Sequence, residues 1–214
     1  MDREIVRNTW GRWLNASNAQ LQHYFILGRE LGSETPNQAV LDEQNKYGDL
    51  IMEDFVDDYF NITLKSVFML KFVKDNCPGA KYLLKIDDDT FLNVPQLVKV
   101  FSDQSLPEQL ITGSLACTPT VNRNFKSKIY MPKYIMEKDK YPNYLHGAGY
   151  VISGNLVTPL LDAAMKVPLI PPEDAYLTGL LATKIGINPM NNGMFFRNKR
   201  RIRDKCHYQV RNKH

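Results

Sequence analysis

Cysteine is scarce in this 214-residue chain. Cys77, Cys117 and Cys206 make up the complement, and no two stand as a C-x-x-C pair. That spacing excludes a zinc knuckle built on cysteine alone and allows at most one disulfide, of unspecified pairing. No run is long and apolar enough to span a bilayer, and the first residues lack the pattern of a signal peptide. The chain is therefore expected either to be cytosolic or to lack an upstream anchor. Internal repeats and low-complexity linkers are also absent, which favours a single domain over residues 1–214. A strong charge of either sign is missing, since 27 basic and 23 acidic residues leave a net +4. Much of that excess lies after Phe195, in Arg197, Lys199, Arg200, Arg201, Arg203, Lys205, Arg211 and Lys213, against Asp204 alone. The run lacks the aromatic-and-basic interleaving of a nucleic-acid module, so no nucleic-acid partner is expected.

What is present fits a globular protein with a sizeable core, at 43% hydrophobic and 23% charged residues. Residues 23–28 read as a first core strand, residues 41–47 as a helix that Gly48 breaks, and residues 49–52 as a second strand. Apolar residues recur at helical spacing from Asn61 until Pro78-Gly79. Tyr82-Leu83-Leu84 is a buried strand, and Val94-Pro95 opens a helix through Phe101. Residues 110–113 and 150–153 are further strands, separated by a Lys-, Asn-, Tyr- and Pro-rich stretch that reads as a long irregular insert over residues 118–142. Residues 155–167 form a helix that tolerates Pro159 only near its first turn. A last helix over residues 173–184 ends at Gly186. Alternating strands and helices predict a three-layer α/β domain with a mostly parallel central sheet.

The segment Lys85-Ile86-Asp87-Asp88-Asp89 carries the first chemical signal. Three adjacent carboxylates repel one another, and they become useful where a divalent cation sits among them. They lie at the carboxyl end of a core strand, where open α/β sheets place ligands. An acidic turn in solvent is the competing reading. If the segment stays extended, Asp87 and Asp89 share a face, which makes Asp89 the expected metal ligand. Asp87 then helps hold the metal or faces a ribose, and Asp88 does either if the strand has already turned. Glu173-Asp174 is the second acidic pair, placed after Pro171-Pro172 where a helix amino end favours acids on dipole grounds alone. Two glycosylation sequons, Asn15-Ala16-Ser17 and Asn61-Ile62-Thr63, support a secretory location weakly.

Together these segments resemble the β-1,3-glycosyltransferases, the family that includes β-1,3-galactosyltransferases and β-1,3-N-acetylglucosaminyltransferases. The resemblance runs in order through Arg7-Asn8-Thr9-Trp10-Gly11, Glu43, Tyr47-Gly48-Asp49-Leu50 and the stretch from Asp54 to Lys65. It continues through Lys85 with the Asp triplet, Tyr141-Pro142-Asn143-Tyr144 with Gly147 and Gly149-Tyr150-Val151, and ends on Glu173-Asp174. It implies a type A glycosyltransferase fold and a luminal catalytic domain, truncated at both ends, of a type II Golgi membrane protein whose anchor lies upstream of Met1. The implied donor is a UDP-sugar carrying galactose or N-acetylglucosamine, and the implied acceptor is an oligosaccharide on a glycoprotein or glycolipid.

A nucleotide sugar leaves as a diphosphate, so its departure needs a cation on the phosphate oxygens. Carboxylates suit Mn²⁺ or Mg²⁺, and the resemblance favours Mn²⁺. It also implies that His214 is a metal ligand, although the spacing from Cys206 is one residue short of the usual pattern. It maps the catalytic base onto Asp174, with Glu173 orienting that base or binding donor hydroxyls. Asp174 would take the proton of the acceptor hydroxyl as the oxygen attacks the anomeric carbon, inverting that centre. Ala175 stands where the family usually has valine. Arg7 and Lys65 are candidates to counter the diphosphate charge, with Asp87 and Asp88 near the nucleotide. A cation–π pair of Arg7 with Trp10 and a solvated Lys65 are the plainer readings. Tyr141, Tyr144 and Gly147 are acceptor-side candidates, because aromatic faces and open backbone suit a sugar ring. Asp54, Asp57 and Tyr59 match the pattern but suit structural hydrogen bonds as well. Two other readings stay open: a non-catalytic nucleotide- or glycan-binding relative, and a metal-dependent phosphoesterase or nuclease.

Overall fold

The computed structural model describes residues 3–16, 21–33, 35, 37–117 and 119–195. Two short helices, α1 (Arg3–Asn8) and α2 (Gly11–Ala16), precede strand β1 (Phe25–Arg29). Helix α3 (Gln38–Tyr47) crosses over to β2 (Leu50–Val56), so the two strands pair in parallel, as a helical crossover permits. The Asn37 side chain caps the start of α3, and Gly48 ends it at φ 67°, a left-handed conformation that suits glycine. After one tight turn at Tyr59–Asn61 comes α4 (Ile62–Asn76), then β3 (Tyr82–Ile86), α5 (Val94–Phe101) and β4 (Ile111–Ala116). Strand β5 (Tyr144–Ser153) leads through α6 (Val157–Ala164) to a π-helical segment, Ala175–Leu181, with α7 (Ala182–Lys184) and β6 (Met190–Asn191) closing the described chain.

The second sheet has the order β3-β5-β4-β6 and departs from the expectation of a mostly parallel sheet. β5 runs antiparallel to both β3 and β4, while β4 and β6 are parallel. The connections give the reason. The insert that joins β4 to β5 contains no helix among its described residues, and a return without a crossover helix leaves neighbouring strands antiparallel. The architecture is mixed α/β in two sheets. β5 is also six residues longer at its start than residues 150–153 suggested, because Tyr144-Leu145-His146-Gly147-Ala148-Gly149 carries too few branched residues to read as strand.

The insert is organised by one side chain. Arg123 donates to the carbonyls of Met131 (2.7 Å), Met136 (2.7 Å) and Lys138 (2.8 Å), and Met131 beneath it is fully buried. The main core joins Leu70, Ile111, Leu145, Tyr150, Ile152, Leu160, Tyr176 and Leu177 between the second sheet, α4, α6 and the π-helical segment. A smaller core packs Val6, Trp10 and Leu14 against Leu92, Val94, Leu97 and Val151. At the turn after β5, Gly154 lies so close to the turn leading into β3 that an added Cβ would sit 1.8 Å from the Ala80 carbonyl oxygen. Gly154→Ala is therefore expected to cost about 3 kcal/mol, as overpacking against backbone does, and urea denaturation reads the loss directly.

The polar side chains of the second sequon are engaged in this packing. Asn61 Nδ2 donates to the Val56 carbonyl at 2.8 Å, and the buried Thr63 hydroxyl donates to the Ile170 carbonyl at 2.7 Å. In the folded chain neither group is presented as a glycosylation acceptor. The Asn15 side chain and Ser17 lie outside the described residues, as does Cys206, and Cys77 and Cys117 are free thiols. No helix among the described residues is long and apolar enough to cross a membrane.

Candidate active site

An irregularity in β5 builds the centre of the site. On β4, Gly113 pairs with Tyr150 and Leu115 with Leu145, so residues 146–149 of β5 lie opposite Ser114 alone. Such a bulge releases backbone groups from the ladder. The Gly147 carbonyl, freed in this way, accepts from Lys85 Nζ at 2.6 Å. The Gly147 N–H donates to Asp174 Oδ2 at 3.2 Å, while Asp174 Oδ1 accepts from the Ala175 N–H at 2.8 Å. Asp174 caps the π-helical segment, a local widening often found at functional sites. Its carbonyl accepts from Thr178 Oγ1 at 2.7 Å, and that hydroxyl in turn accepts from the Leu145 N–H at 2.8 Å. Burial holds the Asp174 carboxyl above the ordinary aspartate range, against the pull of the Ala175 and Gly147 N–H groups and of His146.

Glu173 faces inward. It is 6% exposed, and its Oε1 accepts from the buried Tyr150 hydroxyl and from Ser66 Oγ at 3.0 Å. Lys85 Nζ stands 3.8 Å from its Oε2 and also donates to Asp87 Oδ1. Burial raises the Glu173 pKa, with Lys85 and Tyr150 opposing. Burial also works against the Lys85 charge, but Glu173 and Asp87 outweigh it, and the lysine pKa lies above its ordinary value. These contacts make Glu173 an internal anchor behind Asp174; every hydrogen bond described for it is to Ser66 or Tyr150.

The Asp triplet does not continue the strand. β3 ends at Ile86, the Asp87 N–H still bonds the Ala148 carbonyl (3.2 Å), and a turn at residues 88–89 is closed by the Thr90 N–H on the Asp87 carbonyl (3.1 Å). The alternation that made Asp87 and Asp89 share a face therefore does not apply, since it needs extended backbone. Among the described residues no group of three or more His, Cys, Asp or Glu side chains is arranged to hold a metal by itself. His214 lies outside the described residues. The donor chemistry nevertheless fits a hard divalent cation. Asp88 and Asp89 are exposed carboxylates at a turn, and such ions are commonly held by one or two carboxylates with phosphate and water completing the shell. Next to the turn, Trp10 Nε1 donates to the Thr90 carbonyl at 3.2 Å, and a hollow of about 560 Å³ opens between Asn8, Thr9, Trp10, Arg12, Trp13 and Phe91.

Arg7 and Lys65 are bonded elsewhere. The Arg7 guanidinium makes a two-point contact with the buried Asp49 (2.7 and 2.7 Å), reaches Glu43 at 2.8 Å and stacks over Tyr47 at 3.9 Å, so its aromatic partner is not Trp10. Arg3 and Arg7 together hold the Glu43 carboxyl down to about 2. Arg7→Gln is expected to cost about 3 kcal/mol by stranding Asp49, and so to lower Tm by roughly 6–12 °C. A scanning melt measures that, and a loss of UDP affinity at unchanged Tm would restore a diphosphate role. Lys65 pairs with Asp57 at 2.6 Å, whose other oxygen accepts from the Gly28 N–H at 3.0 Å. Asp54 pairs with Arg29.

Of the acceptor-side candidates, Gly147 bonds Asp174 directly. Tyr141 and Tyr144 stand edge to face at 6.1 Å, and Tyr144 meets His146 at 6.1 Å. The Tyr141 hydroxyl is buried without a protein partner, and burial pushes its pKa up to about 12. Tyr59 also senses Asp174, and Lys128 of the insert lies 4.5 Å over its ring. The sequence motifs named Lys85 and Tyr150 but gave neither a role, and Ser66 and His146 carried no signal at all. Cross-strand pairing of Lys85 with Tyr150 and the approach of Ser66 to Glu173 are visible only once the elements are docked.

The fold and site define a mixed α/β protein in which a lysine links a buried glutamate to the acidic turn after β3. Residues 1–193 match the family model described as Galactosyltransferase, and the chain belongs to that family. It is 33% identical over 195 residues to acetylgalactosaminyl-O-glycosyl-glycoprotein beta-1,3-N-acetylglucosaminyltransferase of Mus musculus, covering 89% of this chain and 50% of the relative. It is 33% identical over 196 residues to N-acetyllactosaminide beta-1,3-N-acetylglucosaminyltransferase 4 of Homo sapiens (90% and 51%). Beta-1,3-galactosyltransferase 2 of Homo sapiens is 31% identical over 211 residues (96% and 50%). The chain spans about half the length of the curated relatives it matches.

Proposed function

We propose that this chain is part of an inverting hexosyltransferase that moves galactose or N-acetylglucosamine from a UDP-sugar to a glycan hydroxyl in β-1,3 linkage. The observation that carries the reading is Asp174, a half-buried carboxylate oriented by two backbone N–H groups and raised in pKa, beside the acidic turn after β3. Asp174 takes the acceptor proton as the acceptor oxygen attacks the anomeric carbon and the bond to the diphosphate breaks. A base of raised pKa accepts a proton more readily near neutral pH than an ordinary aspartate. The Gly147 and Ala175 N–H groups keep the carboxylate aimed, and Tyr144, half-buried and edge to face with the buried Tyr141, is the aromatic face open to the acceptor. Asp87, Asp88 and Asp89 would hold Mn²⁺ or Mg²⁺, which supplies positive charge for the departing diphosphate. Homology to beta-1,3-transferases supports the linkage, and the acceptor is an oligosaccharide on a glycoprotein or glycolipid in the Golgi lumen.

UDP release tests this reading. UDP-galactose and UDP-N-acetylglucosamine are offered in turn with an oligosaccharide acceptor, with Mn²⁺ and with chelator. Acceptor-dependent release that chelation abolishes is the expected result. Metal-dependent UDP binding without turnover would instead identify a non-catalytic relative.

A further inference from the structure

Lys85 is a buried cation with three partners on three different segments. Its side chain is 15% exposed, and its ammonium donates to the Gly147 carbonyl at 2.6 Å and to Asp87 Oδ1, with Glu173 Oε2 at 3.8 Å. Gly147 is held through both of its backbone groups, one in each peptide flanking its Cα: its carbonyl by Lys85, its N–H by Asp174 Oδ2 at 3.2 Å. The β5 irregularity takes this residue out of the β4 pairing, so the ladder does not fix its direction there. Gly147 also packs directly on both acids: an added Cβ would lie in ordinary van der Waals contact with Asp174 at 3.6 Å and with Glu173 at 3.7 Å.

We propose that Lys85 is a positioning residue: by fixing the Gly147 backbone against Asp87, it sets the orientation of the Asp174 carboxylate. The inference rests on the transferase reading above for its consequence, not for its geometry. It ties the acidic turn, where the diphosphate is placed, to the base, where the acceptor is placed. A charge-dipole contact to a carbonyl is well suited to this, because a lysine stem otherwise leaves its head group mobile. Lysine is matched to the two-acceptor span here, whereas the planar fork of arginine is not, so Lys85→Arg keeps the charge and loses the alignment.

The test uses the full chain with ¹⁵N-labelled glycine. The Gly147 amide, donating to a carboxylate, has a resonance and an exchange rate of its own. In Lys85→Met both are expected to change, with exchange faster by about tenfold or more as the local structure loosens. In turnover, Lys85→Met is expected to lower kcat by about 10²-fold with KM for donor and acceptor little changed, the signature of a group that acts through the base. Combined with Asp174→Asn it is expected to add no further loss, since the two act as one unit. If Lys85→Met does not fold, the same readings are taken on Lys85→Met/Glu173→Gln against Glu173→Gln, which leaves no buried charge uncompensated. An unchanged Gly147 amide overturns the proposal, as does a full additional loss in the Asp174→Asn background. A wild-type chain without turnover, in which Lys85→Met still moves the Gly147 amide, leaves the linkage standing and overturns the transferase reading.

Discussion

Replacing Asp174 by Asn is expected to lower kcat by about 10³-fold, within the range that general bases contribute. Asparagine is nearly isosteric, so its carbonyl oxygen can still accept from the Ala175 or Gly147 N–H. What it cannot do is take a proton from an attacking hydroxyl. UDP binding in the presence of Mn²⁺ is expected to be unchanged, because the acidic turn after β3 is untouched. Calorimetric titration with UDP and initial rates on the same preparation separate the two effects, and loss of both would make Asp174 a structural cap. The wild-type pH profile carries the same assignment. Asp174 acts only when unprotonated, and burial has moved its pKa upward. The rate is therefore expected to fall with decreasing pH at a value above the ordinary aspartate pKa, and Asp174→Asn removes that limb.

Glu173→Ala is expected to cost about 3–5 kcal/mol, the penalty for breaking a buried charge pair by removing one member. The alanine leaves the Lys85 ammonium, the Tyr150 hydroxyl and Ser66 Oγ facing a void in a region excluded from water. For a domain whose total stability is about 5–15 kcal/mol, that loss is a large share. Glu173→Gln keeps the volume and one acceptor, and its cost is smaller. Urea denaturation of Glu173→Ala, Lys85→Met and the double variant closes the cycle, and the double is expected to be more stable than the sum of the singles predicts. Strict additivity would mean that Lys85 and Glu173 do not interact. The same result bears on function, because it separates Glu173 as an anchor from Asp174 as the reacting group, two adjacent acids with opposite exposures to the reaction.

Much of the local structure was legible from local chemistry. Val94-Pro95 placed the start of α5, Gly48 and Gly186 stopped helices at positive φ, and the apolar spacing after Asn61 gave α4. The strand before the Asp triplet was clear because Tyr82-Leu83-Leu84 is apolar on both faces. Helices α1 and α2 went unread, since each is six residues long and too short to show a period. The sheet pairing was also out of reach. Direction depends on how each connection returns, and the insert before β5 carries no periodic signal.

The sequence by itself determined the order in which the two acidic groups occur, the triplet 87–89 and the pair 173–174, and placed them in a chain of transferase pattern. That follows because motif chemistry is written in residue types at fixed spacing. Tertiary structure alone decided what each acid contacts. Docking β3 and β5 brings Lys85 onto Gly147, the bulge turns Gly147 onto Asp174, and α4 brings Ser66 onto Glu173. Two neighbouring carboxylates thereby receive different roles, one buried among hydrogen-bond donors and one aimed by backbone N–H groups. The same docking gave Arg7 to Asp49 and Lys65 to Asp57. Charges that look free in a sequence are claimed by whichever partner lies nearest after folding, because a desolvated charge left alone costs more than any surface role returns.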